Sequence, residues 1–154
     1  MAEIFFILTI VIFCIDWIFD NYKTAKKERE YKIKQIIATE MYEIDNMSGK
    51  EFEKLLLILF EIMGYPVEAT PGSQDYGADL ILYKNGLKIV VQAKRYKSHV
   101  GVKAIQEIVA SVKYYKADKA MVITNSRYTE NAYILARCNS VELWDRVKLM
   151  DLKG

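Results

Sequence analysis

The chain has 154 residues, room for one ordinary domain and a short extension. Hydrophobic residues make up 52% and charged residues 27%, with a net charge of +2, which excludes a disordered or collagen-like chain and does not by itself announce a nucleic-acid binder. The single histidine, His99, and the two cysteines, Cys14 and Cys138, exclude a zinc cage, an HNH-type centre and a triad built on several histidines.

The first feature in chain order is the run Ile4 to Phe19, apolar on every face of a helix apart from Asp16. A helix of that length rises roughly 24 Å, short for a hydrocarbon core of about 30 Å but within reach of thinning and snorkelling. Trp17 and Tyr22 suit an interfacial belt, and the start Met1-Ala2-Glu3 lacks the positive charge of a cleaved leader. The basic flank Lys23 to Lys34 places the remainder of the chain on the cytoplasmic side. The expectation is a single-pass anchor over residues 1–20, with residues 4–19 in a cell membrane and the C-terminal domain in the cytoplasm.

Residues 21–46 read as a basic helical linker, polar first and then with Ile33, Ile36, Ile37, Met41 and Ile44 on one stripe. That stripe either docks on the domain or forms the seam of a homodimer. Asp45 to Gly49 break the pattern, and the globular domain is expected over 47–154.

Ser48 followed by Glu51 is a capping-box start. Phe52, Leu55, Leu56, Leu59, Phe60 and Met63 then recur at helical spacing as far as Gly64. A strand at Val67–Thr70 precedes a Gly-rich loop, 71–77. Two strands, Ala78–Tyr83 and Lys88–Tyr96, flank Asn85-Gly86, a two-residue type I′ hairpin signal. A helix over Val102–Lys116, a strand at Ala120–Thr124, a helix over Thr129–Arg137 and a strand at Val141–Trp144 complete an α/β domain with an antiparallel hairpin at its centre.

The hairpin turn sets a register. With Asn85 and Gly86 as the loop, Lys84 faces Leu87, and counting back pairs Leu80 with Val91 and Asp79 with Gln92. Lys94 projects to the same face as Gln92. An acid, an amide and a lysine on one face make a candidate catalytic centre. The Asp79 carboxylate, the Gln92 amide oxygen and the backbone carbonyl of Ala93 are candidate ligands for Mg²⁺, which polarises a phosphate and activates a water. Lys94 holds that water or neutralises developing charge.

Several blocks carry a resemblance. Gly64-Tyr65, Gly72 to Ile81, Val91-Gln92-Ala93-Lys94-Arg95-Tyr96, Val100 to Glu107 and Thr124 to Thr129 resemble, in order, the Mrr-type restriction endonuclease domain of the PD-(D/E)xK nuclease superfamily, over about Met47 to Leu149. The resemblance implies a restriction-endonuclease-like αβββαβ core with a mixed central sheet. It also implies a Mg²⁺-dependent DNA endonuclease, with Mn²⁺ able to substitute and DNA as partner. It assigns Asp79 to the metal, Gln92 to the second-strand position, Lys94 to the catalytic lysine and Glu53 to the acid that this fold places on its first helix. Ala78 stands where the superfamily name has proline, and Gln92 replaces an acid, as is usual in this branch. The separate winged-helix domain of full-length Mrr proteins has no counterpart in this sequence.

Arg95, Lys97, Lys103 and Gln106 are candidate DNA contacts. Asp75 reads as an organiser of the Gly-rich loop, and His99 as surface. The readings that compete with cleavage are a tethered DNA-binding module with a decayed site, a junction or repair nuclease on the same fold, and a plain scaffold.

Overall fold

The computed structural model describes residues 2–38, 41–72 and 76–152, with backbone alone for 2–5, 7–9 and 33–38. The first helix, α1 (Ala2–Ala38), joins the apolar run and the basic linker in one rod, and α2 (Met41–Asn46) comes next. The structure corrects the expectation of a membrane span: among the described residues no helix is long and apolar enough to cross a membrane. The described apolar stretch, Ile10 to Phe19, is interrupted by Asp16 and followed at once by Asp20 and Lys23. It covers about half of a hydrocarbon core. The start of the expected span, and the side chains of Ile33, Ile36 and Ile37 in the linker stripe, lie outside the described side chains.

The domain proper begins with α3 (Gly49–Ile62), started by the expected capping box. Ser48 Oγ accepts from the Glu51 N–H, and the Ser48 N–H donates to Glu51 Oε2 at 2.7 Å. Then come β1 (Val67–Ala69), β2 (Leu80–Lys84), β3 (Leu87–Lys94), α4 (Val102–Tyr114), β4 (Lys119–Thr124), α5 (Glu130–Cys138), β5 (Val141–Trp144) and α6 (Arg146–Asp151). The last helix, absent from the sequence expectation, is signalled only by Asp145, whose carboxylate accepts from the Lys148 N–H at its start.

One five-stranded sheet runs in the order β1-β2-β3-β4-β5. The β1, β2 and β3 strands are antiparallel, whereas β3, β4 and β5 are parallel. The hairpin register is the expected one from Leu80↔Val91 to Lys84↔Leu87. Asn85 and Gly86 both have positive φ, 53° and 77°, as a type I′ turn requires.

Both faces of β3 are covered. Ile89 and Val91 pack with Phe52, Leu56, Leu59 and Phe60 of α3, while Val90 packs with Ala104, Ile105 and Ile108 of α4 and Ala132 of α5. Period-2 alternation thus feeds two cores from one strand. The carboxyl ends of β3, β4 and β5 share one edge of the sheet, where ligands collect in α/β folds.

The short helix α2 is tied to that edge by Asp45. Arg146 Nη1 donates to both Asp45 oxygens at 2.7 and 2.9 Å, Asn125 Nδ2 donates to Oδ1 at 2.8 Å, and Arg95 Nη1 reaches the Asp45 carbonyl at 3.4 Å. Burial alone would raise the Asp45 pKa, but the hydrogen bonds from Arg146 and Asn125 and the charges of Arg146 and Arg95 outweigh it and hold it below the usual carboxylate range. Because the folded value is depressed, the stabilisation is full above the ordinary carboxylate pKa of about 3.9 and is lost as pH falls through the lowered value. Melting curves of wild type and Asp45→Asn should therefore differ most near neutral pH and converge as pH falls through that lowered value.

Candidate active site

The candidate residues lie where β2 and β3 part. Asp79 precedes β2; its N–H donates to Val91 O at 2.8 Å, and its carboxylate Oδ2 accepts from the Ala93 N–H at 2.7 Å. The ladder ends at Leu80↔Val91, so Asp79 is not the rung opposite Gln92 that strict alternation gives. Instead its carboxylate grips the peptide that links Gln92 to Lys94. On its other side Asp79 shares a cleft of 270 Å³ with Glu53, lined also by Lys50, Lys54 and Thr70.

Gln92 and Lys94 do share a face, the one covered by α4. There both meet Glu107: Gln92 Nε2 donates to Glu107 Oε2 at 3.0 Å, and Lys94 Nζ donates to the same oxygen at 3.0 Å. Lys103 Nζ stands 3.9 Å from Oε1. Burial would raise the Glu107 pKa, but the bonds from Lys94 and Gln92 and the charges of Lys94 and Lys103 outweigh it and keep it below the ordinary value. The site therefore holds an ionised Glu107 at neutral pH.

The amide orientation is set by this bonding. With Nε2 committed to the carboxylate, Gln92 Oε1 is left buried with no hydrogen-bond partner, a state that costs about 1–3 kcal/mol unless something binds it. Among the described residues no three His, Cys, Asp or Glu side chains group as a metal cage. The oxygens expected from the sequence as donors are one carboxylate from Asp79, the Oε1 of Gln92, here unpartnered, and the carbonyl of Ala93. That set suits a hard cation that keeps most of its waters, as Mg²⁺ does, and does not suit a thiophilic or imidazole-seeking metal.

Tyr76 and Gly77, at positive φ of 51° and 89°, close the loop over this cluster. A Cβ on Gly77 would lie 2.9 Å from Gln92 Nε2 and 2.9 Å from Glu107 Cβ. Glycine is required here twice, by its backbone conformation and by the approach of the cluster. Asp75 lies outside the described residues.

The other candidates are scattered. Arg95 is half-buried and turned toward Asp45, whereas Lys97, His99 and Gln106 are exposed. Lys97 and His99 line a separate cleft beside the site. Sequence reasoning singles out Gln106 on α4; its neighbour Glu107 is the residue that enters the cluster. The signal for Glu107 is the spacing Lys103–Glu107, an i,i+4 pair on the flank of the buried Ala104, Ile105 and Ile108 stripe.

Gly77→Ala should lower stability by about 1–3 kcal/mol, through the positive φ and the displacement of Gln92 and Glu107. Chemical denaturation checks it; an unchanged midpoint would show that the loop can retreat without cost.

Comparison with known proteins places the chain in a family. The family model Mrr_cat, described as a restriction endonuclease, matches residues 44–153. An uncharacterised protein of Sinorhizobium fredii, y4cE, is 28% identical over 105 residues, covering 64% of this chain. The chain spans 27% of that relative's length. Two solved structures share the fold at a TM-score of 0.55 and 17% identity. A protein of unknown function, AF1548, covers 66% of this chain with 65% of its own, and the DNA modification-dependent restriction endonuclease AspBHI covers 81% with 35% of its own.

Proposed function

The chain belongs to the Mrr_cat restriction endonuclease family, and on that footing we propose that it is a metal-dependent endodeoxyribonuclease that hydrolyses phosphodiester bonds, of restriction or defence type. One observation carries the reading: the Asp79 carboxylate accepts from the Ala93 N–H, and the residues on either side of Ala93 supply a buried, unpartnered amide oxygen, Gln92 Oε1, and an ammonium, Lys94 Nζ.

In this reading Asp79, Gln92 Oε1 and the Ala93 carbonyl would hold Mg²⁺, with Mn²⁺ able to substitute. When bound, the ion supplies a polarised phosphate oxygen and a more acidic water. The chain's own residues do the rest. Lys94, fixed at the carboxyl end of β3, presents its ammonium to the attacking water or to the charge that develops on phosphorus. Glu107 aims that ammonium through their 3.0 Å ion pair. Its second bond fixes the Gln92 amide with the oxygen free to act as a ligand. Glu53 faces the same cleft as Asp79 and adds negative charge near the metal side. Lys103 and Lys97, exposed on the flanks, meet the DNA backbone, with Gln106 beside them on α4.

The intact chain incubated with supercoiled plasmid and Mg²⁺ or Mn²⁺ tests the proposal. Nicking should occur with metal and fall at least about a hundredfold in Asp79→Ala and in Lys94→Ala. Glu107→Gln, which keeps the shape but removes the charge, should cut the rate by a smaller factor of about ten to a hundred while leaving DNA binding unchanged. Cleavage indifferent to Lys94→Ala would overturn the assignment, and metal-independent binding without cleavage would turn the domain into a DNA-binding module.

The location of the chain is a second, separate part of the proposal. Apolar side chains of α1 from Ile10 to Phe19 are exposed, next to the basic stretch that begins at Lys23. A membrane surface on the cytoplasmic side would cover them. Co-sedimentation of the intact chain with anionic vesicles should be strong at low salt and should fail when Phe13, Trp17 and Phe19 are replaced by serine.

A further inference from the structure

Beside the catalytic cluster, at the carboxyl ends of β3, β4 and β5, lies a larger cleft of 510 Å³ that the cleavage chemistry does not use. Its floor is the rigid network around Asp45, held by Arg146 and Asn125, with Asn125 Oδ1 accepting the Tyr96 N–H at 2.7 Å. Asn125 is itself buried, so the floor is set by packing and not by loose surface chains. The Asp45 charge is cancelled by Arg146, which leaves the walls to decide what the cleft attracts. Those walls carry Lys97 and Arg127, neither of which has an ion-pair partner among the described residues, together with His99 and the exposed rings of Tyr42 and Tyr96. Tyr96 also borders the smaller pocket lined by Lys94 and Glu107, so one side chain stands between the cleft and the cluster on α4.

Unpaired cations beside exposed flat rings, over a polar floor, select a ligand with an anionic group and a planar ring. The volume falls in the range of small-molecule and cofactor sites. We propose that this cleft binds one nucleoside phosphate unit, with Lys97 and Arg127 on the phosphate and Tyr42 and Tyr96 against the base. The unit comes either from an unpaired nucleotide of the DNA substrate or from a free nucleotide. The first source deepens the nuclease reading and rests on it: a base that enters this cleft has left the duplex, so the preferred substrate carries a bulge, gap or single-stranded tail next to the cut. A duplex with every base stacked cannot place a ring there without the cost of unstacking.

The test reads binding in EDTA, so that it stands whether or not the protein cleaves. Fluorescence anisotropy of the intact chain compares a labelled duplex with the same duplex carrying one bulged nucleotide, and competes each with deoxyadenosine monophosphate or ATP. Wild type should bind the bulged DNA about tenfold more tightly than the duplex. Tyr42→Ala combined with Arg127→Ala, both exposed side chains whose loss leaves the fold intact, should abolish that preference and lower duplex affinity only about twofold. If the free nucleotides compete at micromolar concentration in wild type and not in the double variant, the cleft holds and its source is soluble nucleotide. Equal affinity for the two DNAs with no nucleotide competition, or a preference that survives the double variant, would overturn the proposal. Failed plasmid cleavage with an intact bulge preference would instead overturn the catalytic reading alone.

Discussion

Glu107 is a carboxylate set partly inside the protein, and a charge in that position has to be answered by neighbouring groups. It is answered twice on the same oxygen, by the Lys94 ammonium and by the Gln92 amide, each at 3.0 Å. Removing either partner would leave the charge to the other, to Lys103 and to water. The bond pair therefore clamps α4 to the end of β3 and fixes the two side chains to which the proposed chemistry is assigned. The loop of Tyr76 and Gly77 closes against the same pair, and only a residue without Cβ lets it come so near.

The rest of the domain serves to hold β3 in place for that clamp. The strand is paired along both edges, antiparallel on one side and parallel on the other, and its alternate residues fill two cores. Apolar alternation stops after Val91, and the polar side chains of Gln92 and Lys94 begin where β2 turns away. Asp79 exploits this parting of strands: the Ala93 N–H, which a continuing β2 would have occupied, is free to receive its carboxylate.

Much of this was legible in the sequence because its determinants are local. The Asn85-Gly86 turn set the β2–β3 register, Ser48 and Glu51 marked the start of α3, and the spacing of Phe52 to Phe60 gave its buried face. The family blocks gave the fold. What escaped depended on tertiary neighbours. Strict alternation put Asp79 opposite Gln92, yet the ladder ends one rung earlier, and nothing in a two-residue turn reports where two strands diverge. Gln106 looked like the notable residue of α4, but helix rotation, set by Ile105 and Ile108 in the core, delivers Glu107 instead. Asp45 read as a linker breaker and proved to be the joint between α2 and the sheet edge. The apolar N-terminal run was read from composition, and its acid residues shorten what the described helix offers to a bilayer.

The amide at position 92 has a consequence for how the site could be rebuilt. A glutamate there would look like a restoration of the general superfamily motif, yet its carboxylate would stand about 3 Å from that of Glu107, with only Lys94 in hydrogen-bond reach and Lys103 farther off at 3.9 Å. Two acids so close cannot both ionise, so one would take up a proton or the helix would be pushed from the strand. Glutamine is thus the uncharged half of a matched set, in which the strand supplies a neutral amide because the helix has already supplied the anion. Exchanging the two residues between strand and helix would conserve the charge of the site, whereas changing either alone would not.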